Sequence, residues 1–441
     1  MLLTSLPSSF KNRRDALMKK PEESGSAFLF PAAKEVLRNP DVTYPFRQES
    51  NFQYLSGFEE PEAWLLLAPG SKGGAYRTIL FVRHRDPVME IWEGERYGTE
   101  GALKVFGVDE AYTIDEFSKR FPEFLKGVDR LFYRMNLDES DDREVLGALE
   151  KFRRSQGRSG KPLLAISDPN ELIAEMRLFK SSEEIELMRR ACDITAKTHL
   201  ALMKEVRPGM NEYEMEAFID YQFRKQGSPR VGYGSIVAGG KNACCLHYRA
   251  NNEVLKDGDL ILVDAGAEFG YYTSDITRTF PVGKEFSKTQ AAIYDLVLKS
   301  QLECIAMAKP GATMAAIHRH ASEVLVEGAL SLGLMKGKVD EIITSGKVKQ
   351  FYPHGTGHWL GMDVHDIGLY QLNGEPRKLE AGMMFTIEPG FYVQPDDLHA
   401  PAEYRGIGVR IEDDVLVTKT GLEVMTAGAP KARAEIEALK S

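Results

Sequence analysis

The second half of this chain repeats itself, and that echo limits its fold more than any other feature. Ser181 with Glu184 makes a capping box that opens a long helix, which Arg207-Pro208-Gly209 stops. Asn211 with Glu214 opens a second helix, ending at Gly227. Downstream, a helix from about Lys288 is stopped by Lys309-Pro310-Gly311, and another runs to about Gly333. A matching segment follows each helix pair. Leu255-Lys256-Asp257-Gly258 leads through Leu260-Ile261-Leu262-Val263 to Asp264-Ala265-Gly266, and Leu379-Glu380-Ala381-Gly382 leads through Met383-Met384-Phe385-Thr386-Ile387 to Glu388-Pro389-Gly390. The glycines and the acid keep the same offsets from the leucine. The chain therefore contains two related units of helix, helix and strands, each ending an apolar strand in a carboxylate.

The part before this duplication reads as α/β. Ala63 to Ala68, Tyr76 to Val82 and Val88 to Trp92 are expected strands, the first two separated by the turn Pro69-Gly70-Ser71-Lys72-Gly73-Gly74. Leu131-Phe132-Tyr133 and Leu163-Leu164-Ala165-Ile166 are further strands, with a charged helix from about Glu139 to Arg154 and a polar loop over Arg153 to Lys161 between them. The expected domains are residues 1–176, α/β, and residues 177–441, α+β with a pseudo-twofold repeat. A chain of 441 residues is long enough to fold without disulfide or metal staples.

The net charge of −9 argues against nucleic acid or an anionic membrane as the main partner. Four cysteines, with Cys244 and Cys245 adjacent, suit neither a disulfide framework nor a C-x-x-C site. No window approaches 18 apolar residues, and the N-terminal charges Lys11, Arg13 and Arg14 follow the short apolar stretch instead of preceding it. These features predict a cytoplasmic protein.

An apolar strand ending in an acid needs a reason, because an unpaired buried charge is costly. After the turn at Glu268-Phe269-Gly270 the chain can return as a strand over Tyr271 to Phe280, bringing Asp275 opposite Asp264. The second unit supplies Glu388 at the matching place and Glu412 on Gly408-Val409-Arg410-Ile411-Glu412. Any one of these acids alone reads as an ordinary strand-end residue. The repeated pairing outweighs that reading and suits two hard cations: manganese, cobalt or, less comfortably, zinc. Three of the nine histidines lie in His354-Gly355-Thr356-Gly357-His358-Trp359-Leu360-Gly361-Met362-Asp363-Val364-His365. The glycines there predict a loop or strand entrance where the backbone approaches a ligand closely, and no H-E-x-x-H is present. One of these histidines is expected as a nitrogen ligand, the others for proton transfer or oxyanion stabilisation. His84, His199, His318, His320 and His399 are read as structural or surface residues.

Several segments carry a family resemblance: Asp264-Ala265-Gly266, Ser274-Asp275-Ile276-Thr277-Arg278-Thr279-Phe280, His354 to Gly361, Asp363-Val364-His365-Asp366, Ile387-Glu388-Pro389-Gly390 and Arg410-Ile411-Glu412-Asp413. With these the chain from about Met176 resembles the pita-bread metallopeptidases. With Tyr44-Pro45-Phe46-Arg47-Gln48-Glu49-Ser50-Asn51-Phe52-Gln53-Tyr54-Leu55-Ser56-Gly57-Phe58 it resembles, over its whole length, the Xaa-Pro aminopeptidase (aminopeptidase P) family. The resemblance implies a creatinase-like N-terminal domain and a pita-bread catalytic domain. It implies five metal ligands: Asp275 and Glu412 bridging two ions, Asp264 on one, His358 and Glu388 on the other. It places His247, His354, His365, Tyr392 and Trp92 at the substrate, counts His247, His354, His365, Glu388 and Arg410 as catalytic with Glu388 the proton shuttle, and makes Tyr392 with Arg410 a hydrogen-bonded pair behind the metal ligands. Trp92 resembles a tryptophan that reaches a neighbouring subunit's active site, and packing on the first domain's sheet is the equal alternative. Asn51 stands where some relatives carry an acid, which removes a salt bridge from that position.

The implied activity is release of the N-terminal residue from peptides with proline second, with a hydroxide held between two divalent ions, manganese the best fit, as nucleophile. A homo-oligomer formed through the N-terminal domain is also implied. Four rival readings follow: a prolidase confined to Xaa-Pro dipeptides, a metal-free creatinase-type enzyme, a non-enzymatic pita-bread binding scaffold, and a dinuclear hydrolase of non-peptide substrates. The intact ligand set argues against the creatinase-type and scaffold readings.

Overall fold

The computed structural model describes residues 7–19, 25–70, 76–158 and 165–440. Most of the expected turn at 69–74, part of the polar loop and the residues Leu163 and Leu164 lie outside them. The chain divides into two compact units, Met1–Met176 and Arg177–Ser441.

The N-terminal unit is built on a six-stranded mixed sheet. Its central strand Ser26–Pro31 runs antiparallel to Trp64–Ala68 and parallel to Arg130–Phe132. Arg77–Val82 and then Glu110–Thr113 extend the sheet beyond Trp64–Ala68, and Ala165–Ser167 closes the other edge. Trp64–Ala68 is buried along its whole length, which is why it reads as a continuous apolar run. Trp64 stacks on Phe117 of the helix Phe117–Phe124 with ring centroids 4.6 Å apart. The expected strand over Val88 to Trp92 is instead the helix Pro87–Glu93. Asp86 caps it by accepting from the Val88 and Met89 N–H groups, and Pro87 takes its first turn. This cap and N-terminal proline outweigh the strand propensity of Val88, Ile91 and Trp92. Trp92 is 82% exposed, so its expected alternative packing on the sheet does not occur.

In the C-terminal unit the duplication is physical. The helices Ser182–Glu205, Glu212–Lys225 and Lys288–Met307 open with capping boxes, and Met314–Ser331 is capped by Thr313. The same tie recurs in both copies. Gly209 N–H donates to Leu255 O (2.8 Å) and Leu255 N–H to Met210 O (2.8 Å). Gly311 N–H donates to Leu379 O (2.9 Å) and Leu379 N–H to Ala312 O (2.8 Å). Gly209 and Gly311 have φ of 92° and 88°, a region that favours glycine after the proline that ends each helix.

Each copy ends in an antiparallel sheet. One places Leu260–Ala265 between Ile236–Gly239 and Ile276–Pro281; the other places Asp413–Val417 between Met384–Ile387 and Leu422–Val424. The expected strand over Tyr271 to Phe280 is broken at Ser274-Asp275 into Tyr272–Thr273 and Ile276–Pro281. The break follows from crowding at Gly266, where a Cβ would lie 1.9 Å from Ser274 O. The two copies are joined at Thr277–Thr279 and Arg410–Glu412. Glu412 N–H donates to Thr277 O (3.0 Å), and Thr279 Oγ1 donates to Arg410 O (3.0 Å).

Behind this seam Arg278 and Asp413 form a fully buried ion pair of 2.7 Å. Asp413 also accepts from Gln301, Thr426 and Lys431, so its oxygens are well supplied with donors. Burial pushes its carboxyl up, but Arg278 and Lys431 override that and hold it below the ordinary range. A depressed carboxylate stabilises the fold above its unfolded pKa and loses that contribution as pH falls through its folded value. Arg278→Ala should therefore destabilise the protein by about 3–5 kcal/mol, since it leaves Asp413 buried beside fewer cations. Denaturant unfolding at neutral pH checks this, and a loss below about 1 kcal/mol would contradict the assigned role.

Candidate metal centre

The acids reach one place because each sits at an interruption of a strand. Asp264 is the penultimate residue of Leu260–Ala265 and Asp275 lies in the strand break. Glu388 follows Met384–Ile387, and Glu412 precedes Asp413–Val417 on the seam between the copies. The histidine segment runs alongside: Thr386 N–H donates to His358 O (3.0 Å), and Glu388 N–H donates to Thr356 O (2.8 Å). Gly357 is required there, because a Cβ would sit 1.9 Å from Thr386 O. The close approach at Gly357 is thus to the backbone of the neighbouring strand, not to a ligand as the glycine spacing predicts.

A cleft of about 310 Å³ is lined by Asp264, Asp275, His358, Glu388 and Glu412, together with His247, His354, His365 and Arg410. Asp275, His358 and Glu412 each offer a ligand atom within 4.8 Å of the others. His358 Nε2 lies 3.4 Å from Asp275 Oδ2 and 3.6 Å from Glu388 Oε1. Asp264 stands slightly apart, paired with Arg410 Nη2 at 2.6 Å and accepting from the Tyr233 hydroxyl at 2.6 Å. Tyr233 also contacts Asp275 Oδ1. Its one proton cannot serve both carboxylates at once.

The other expected site residues are distributed unevenly. Arg410 Nη1 donates to Tyr392 Oη (3.0 Å), whose hydroxyl donates to His354 Nε2 (2.9 Å); His354 Nδ1 then donates to Gly355 O (2.7 Å). Both nitrogens of His354 are thus engaged, and burial with Arg410 nearby lowers its pKa to about 3. Tyr392 is buried and absent from the cleft wall, so the structure makes it a support for His354 and not a substrate contact. His365 is exposed, its ring 4.2 Å from that of His358. The segment carrying it is anchored by Asp366, which pairs with buried Arg177 and with Lys180 Nζ at 3.2 Å. His247 is exposed at the cleft, and Trp92 lies on the helix Pro87–Glu93 of the N-terminal unit.

Comparison with known proteins matches residues 186–419 to Metallopeptidase family M24 and residues 10–133 to the Aminopeptidase P, N-terminal domain. The chain belongs to metallopeptidase family M24. It is 42% identical to the Xaa-Pro aminopeptidase of Escherichia coli (strain K12) over 430 residues, 98% of this chain and 97% of that protein. The structure of Pseudomonas aeruginosa aminopeptidase PepP matches with TM-score 0.95 and 45% identity, covering 99% of this chain and 98% of that one. A zinc-substituted E. coli aminopeptidase P in complex with product matches with TM-score 0.95 and 42% identity, again covering 99% and 98%. The pita-bread expectation for the C-terminal unit holds.

The residues present suit the metal ions of an M24 peptidase. Glu412 Oε1 is buried and has no hydrogen-bond partner among the described residues, although Glu412 Oε2 accepts from Thr277 Oγ1 at 2.6 Å. Burial and then the neighbouring acids push the carboxyls of Asp275 and Glu412 upward. Glu388 is raised to about 7, chiefly by burial. Burial alone would lower His358, but Asp275 and Glu388 beside it lift it to about 9. Without cations the cluster gathers protons, and binding a cation there would have to displace them.

Three contributors escaped the sequence reading. Tyr233 sits in Gly232-Tyr233-Gly234, where the glycines were a usable signal: a Cβ on Gly232 would lie 1.9 Å from Thr273 Oγ1. Thr277 orients Glu412. Asp414 accepts the Asp275 N–H at 3.0 Å from behind, and nothing in its local sequence separates it from Asp413.

A carboxyl whose folded pKa is raised stabilises the fold below its unfolded value and loses that contribution as pH rises through the folded one. For Glu388 the window runs from the ordinary 4.5 to about 7. The melting temperature of chelated protein should therefore fall as pH rises through this window relative to metal-loaded protein, and Glu388→Gln should flatten the fall. Metal uptake at pH 7 should also release protons, which calorimetry in buffers of differing ionisation enthalpy measures. Uptake with no proton release would contradict the cluster described here.

Proposed function

We propose that this chain is an aminopeptidase that releases the first residue from peptides whose second residue is proline, with two divalent ions in the cleft. What carries the reading is the gathering of five donor side chains and three histidines in one cleft. Its near end-to-end likeness to Xaa-Pro aminopeptidases supports the choice of substrate. Asp264, Asp275, His358, Glu388 and Glu412 would hold the ions, with Asp275 and Glu412 serving both, Asp264 one, and His358 with Glu388 the other. The oxygen-rich donor set favours manganese, with cobalt or zinc as alternatives.

When bound, such a pair of ions supplies an acidified water and a Lewis acid for the scissile carbonyl. Glu388, already biased by burial toward holding a proton, takes one during attack and passes it to the leaving nitrogen. His365, exposed at the cleft beside His358, donates a hydrogen bond to the developing oxyanion. His247 and His354 shape the pocket, the latter held by Tyr392 and Arg410. An Xaa-Pro bond has no amide N–H, so a site that grips the carbonyl suits it better than one that binds the amide hydrogen.

The helix Pro87–Glu93 supports a homo-oligomer formed through the N-terminal domain, because it leaves Val88, Ile91 and Trp92 exposed. In this reading Trp92 reaches a neighbouring subunit's cleft. Among the described residues no helix is long and apolar enough to cross a membrane. The free thiols of Cys192, Cys244, Cys245 and Cys304 suit the cytoplasm.

The direct test is hydrolysis of an Xaa-Pro-Xaa tripeptide, with metal content measured on the same sample. Release of the first residue is expected; cleavage of Xaa-Pro dipeptides alone would make the protein a prolidase. Asp275→Asn should lower metal content from about two ions per chain toward none, since a bridging acid serves both. Glu388→Gln should lower kcat by on the order of 10²–10⁴-fold even in excess manganese.

A further inference from the structure

Glu212 is a buried carboxylate that the proposed mechanism does not use. It opens the helix Glu212–Lys225, is 0% exposed and forms no ion pair among the described residues. Four donors replace the water it has lost. Oε1 accepts from Gly239 N–H (2.7 Å) and Asn242 Nδ2 (3.0 Å), and Oε2 accepts from the Tyr248 hydroxyl (2.8 Å) and Glu253 N–H (2.9 Å). Burying a polar group costs little when its lone pairs are filled in this way.

All four donors belong to one segment, residues 239–253, and that segment carries His247 to the cleft. Beyond the short 3₁₀ turn Gly240–Cys244 it has no regular structure to define its course. Its second anchor is Asn251, held at φ 42°, which accepts Val237 N–H (3.0 Å) and donates to Ser235 O (2.9 Å) and Glu216 Oε2 (3.0 Å). No group among the described residues hydrogen-bonds the His247 ring. Its place in the cleft is set by the backbone that bears it. Glu212 binds that backbone region on both sides of His247.

We propose that Glu212 is the positioning residue for His247, its carboxylate folding the 239–253 segment into the shape that presents the ring to substrate. The proposal rests on the peptidase reading of the cleft. It predicts that Glu212 acts on catalysis through His247 and not through the metal ligands.

The test is a double-mutant cycle in full-length, manganese-loaded protein, read as kcat/KM on an Xaa-Pro-Xaa tripeptide. Glu212→Gln keeps the side chain's size but turns one acceptor into a donor. It should lower kcat/KM by about tenfold or more, as misplacement of a substrate-contacting group does. In a His247→Ala background the same change should have almost no effect. Metal content should stay at the wild-type level in every variant. Tyr248→Phe removes one donor, should show the same dependence on His247 with a smaller effect, and serves if Glu212→Gln does not fold.

Amide hydrogen exchange on chelated protein gives a readout independent of activity: faster exchange confined to 239–253, with the helix Glu212–Lys225 unchanged. An equal loss of kcat/KM in both backgrounds overturns the proposal, as does unchanged exchange across the segment. An inactive wild type with the segment loosened in Glu212→Gln would instead refute the peptidase reading while leaving Glu212 as the organiser of the loop.

Discussion

Negative charge concentrated in a dry place is the constraint around which the C-terminal unit is organised. Asp264, Asp275, Glu388 and Glu412 converge on one cleft, with Asp413 and Asp414 directly behind it. The protein neutralises only part of this charge. Arg278 and Lys431 cover Asp413, and Arg410 covers Asp264. Among the described residues Asp275 has His358 within ion-pair distance, Glu388 has His358 and, at 3.9 Å, His354, and Glu412 has none, with Arg410 acting on Glu388 and Glu412 from further off. Like charges so close cannot all remain ionised without protons or cations between them. An M24 fold uses this unresolved charge to hold metal.

The duplicated architecture explains how a single chain assembles such a site. Each copy delivers an acid from the end of an apolar strand, and the copies meet where Thr277–Thr279 lies against Arg410–Glu412. That seam brings Asp275 and Glu412, which are far apart in sequence, to opposite sides of the same small space. Arg278 and Asp413 are adjacent to the seam residues, so the buried ion pair and the metal-binding acids depend on the same alignment.

The copies have also diverged where the second helix of each begins. The bridges Asn211↔Val254 and Thr313↔Lys378 mark equivalent positions, which pairs Glu212 with Met314. In the first copy the helix begins with a carboxylate that gathers a loop around itself. In the second it begins with a thioether that lines an apolar cavity beside Gly355 and Gly357. The repeat supplies the scaffold twice, while the groups that shape the cleft differ between its two sides.

Local chemistry made much of this readable from the residue string. Capping boxes, Pro-Gly stops and an acid after an apolar run are short-range signals, since each depends on residues within a few positions of one another. The helix Pro87–Glu93 rests on the same kind of signal, since Asp86-Pro87 is a local cap that outweighs the strand propensity of the residues after it. The contributions of Glu212 and Asp414 carry no such local signal, Tyr233 shows only its flanking glycines, and the supporting place of Tyr392 follows from the family resemblance alone. Each depends on partners brought close by chain crossings, as when Tyr392 meets His354 and Arg410. The order of residues decided which groups could bind metal and where helices start. Only folding decided which oxygens lack a partner, because that depends on what remains within hydrogen-bond reach once water is gone.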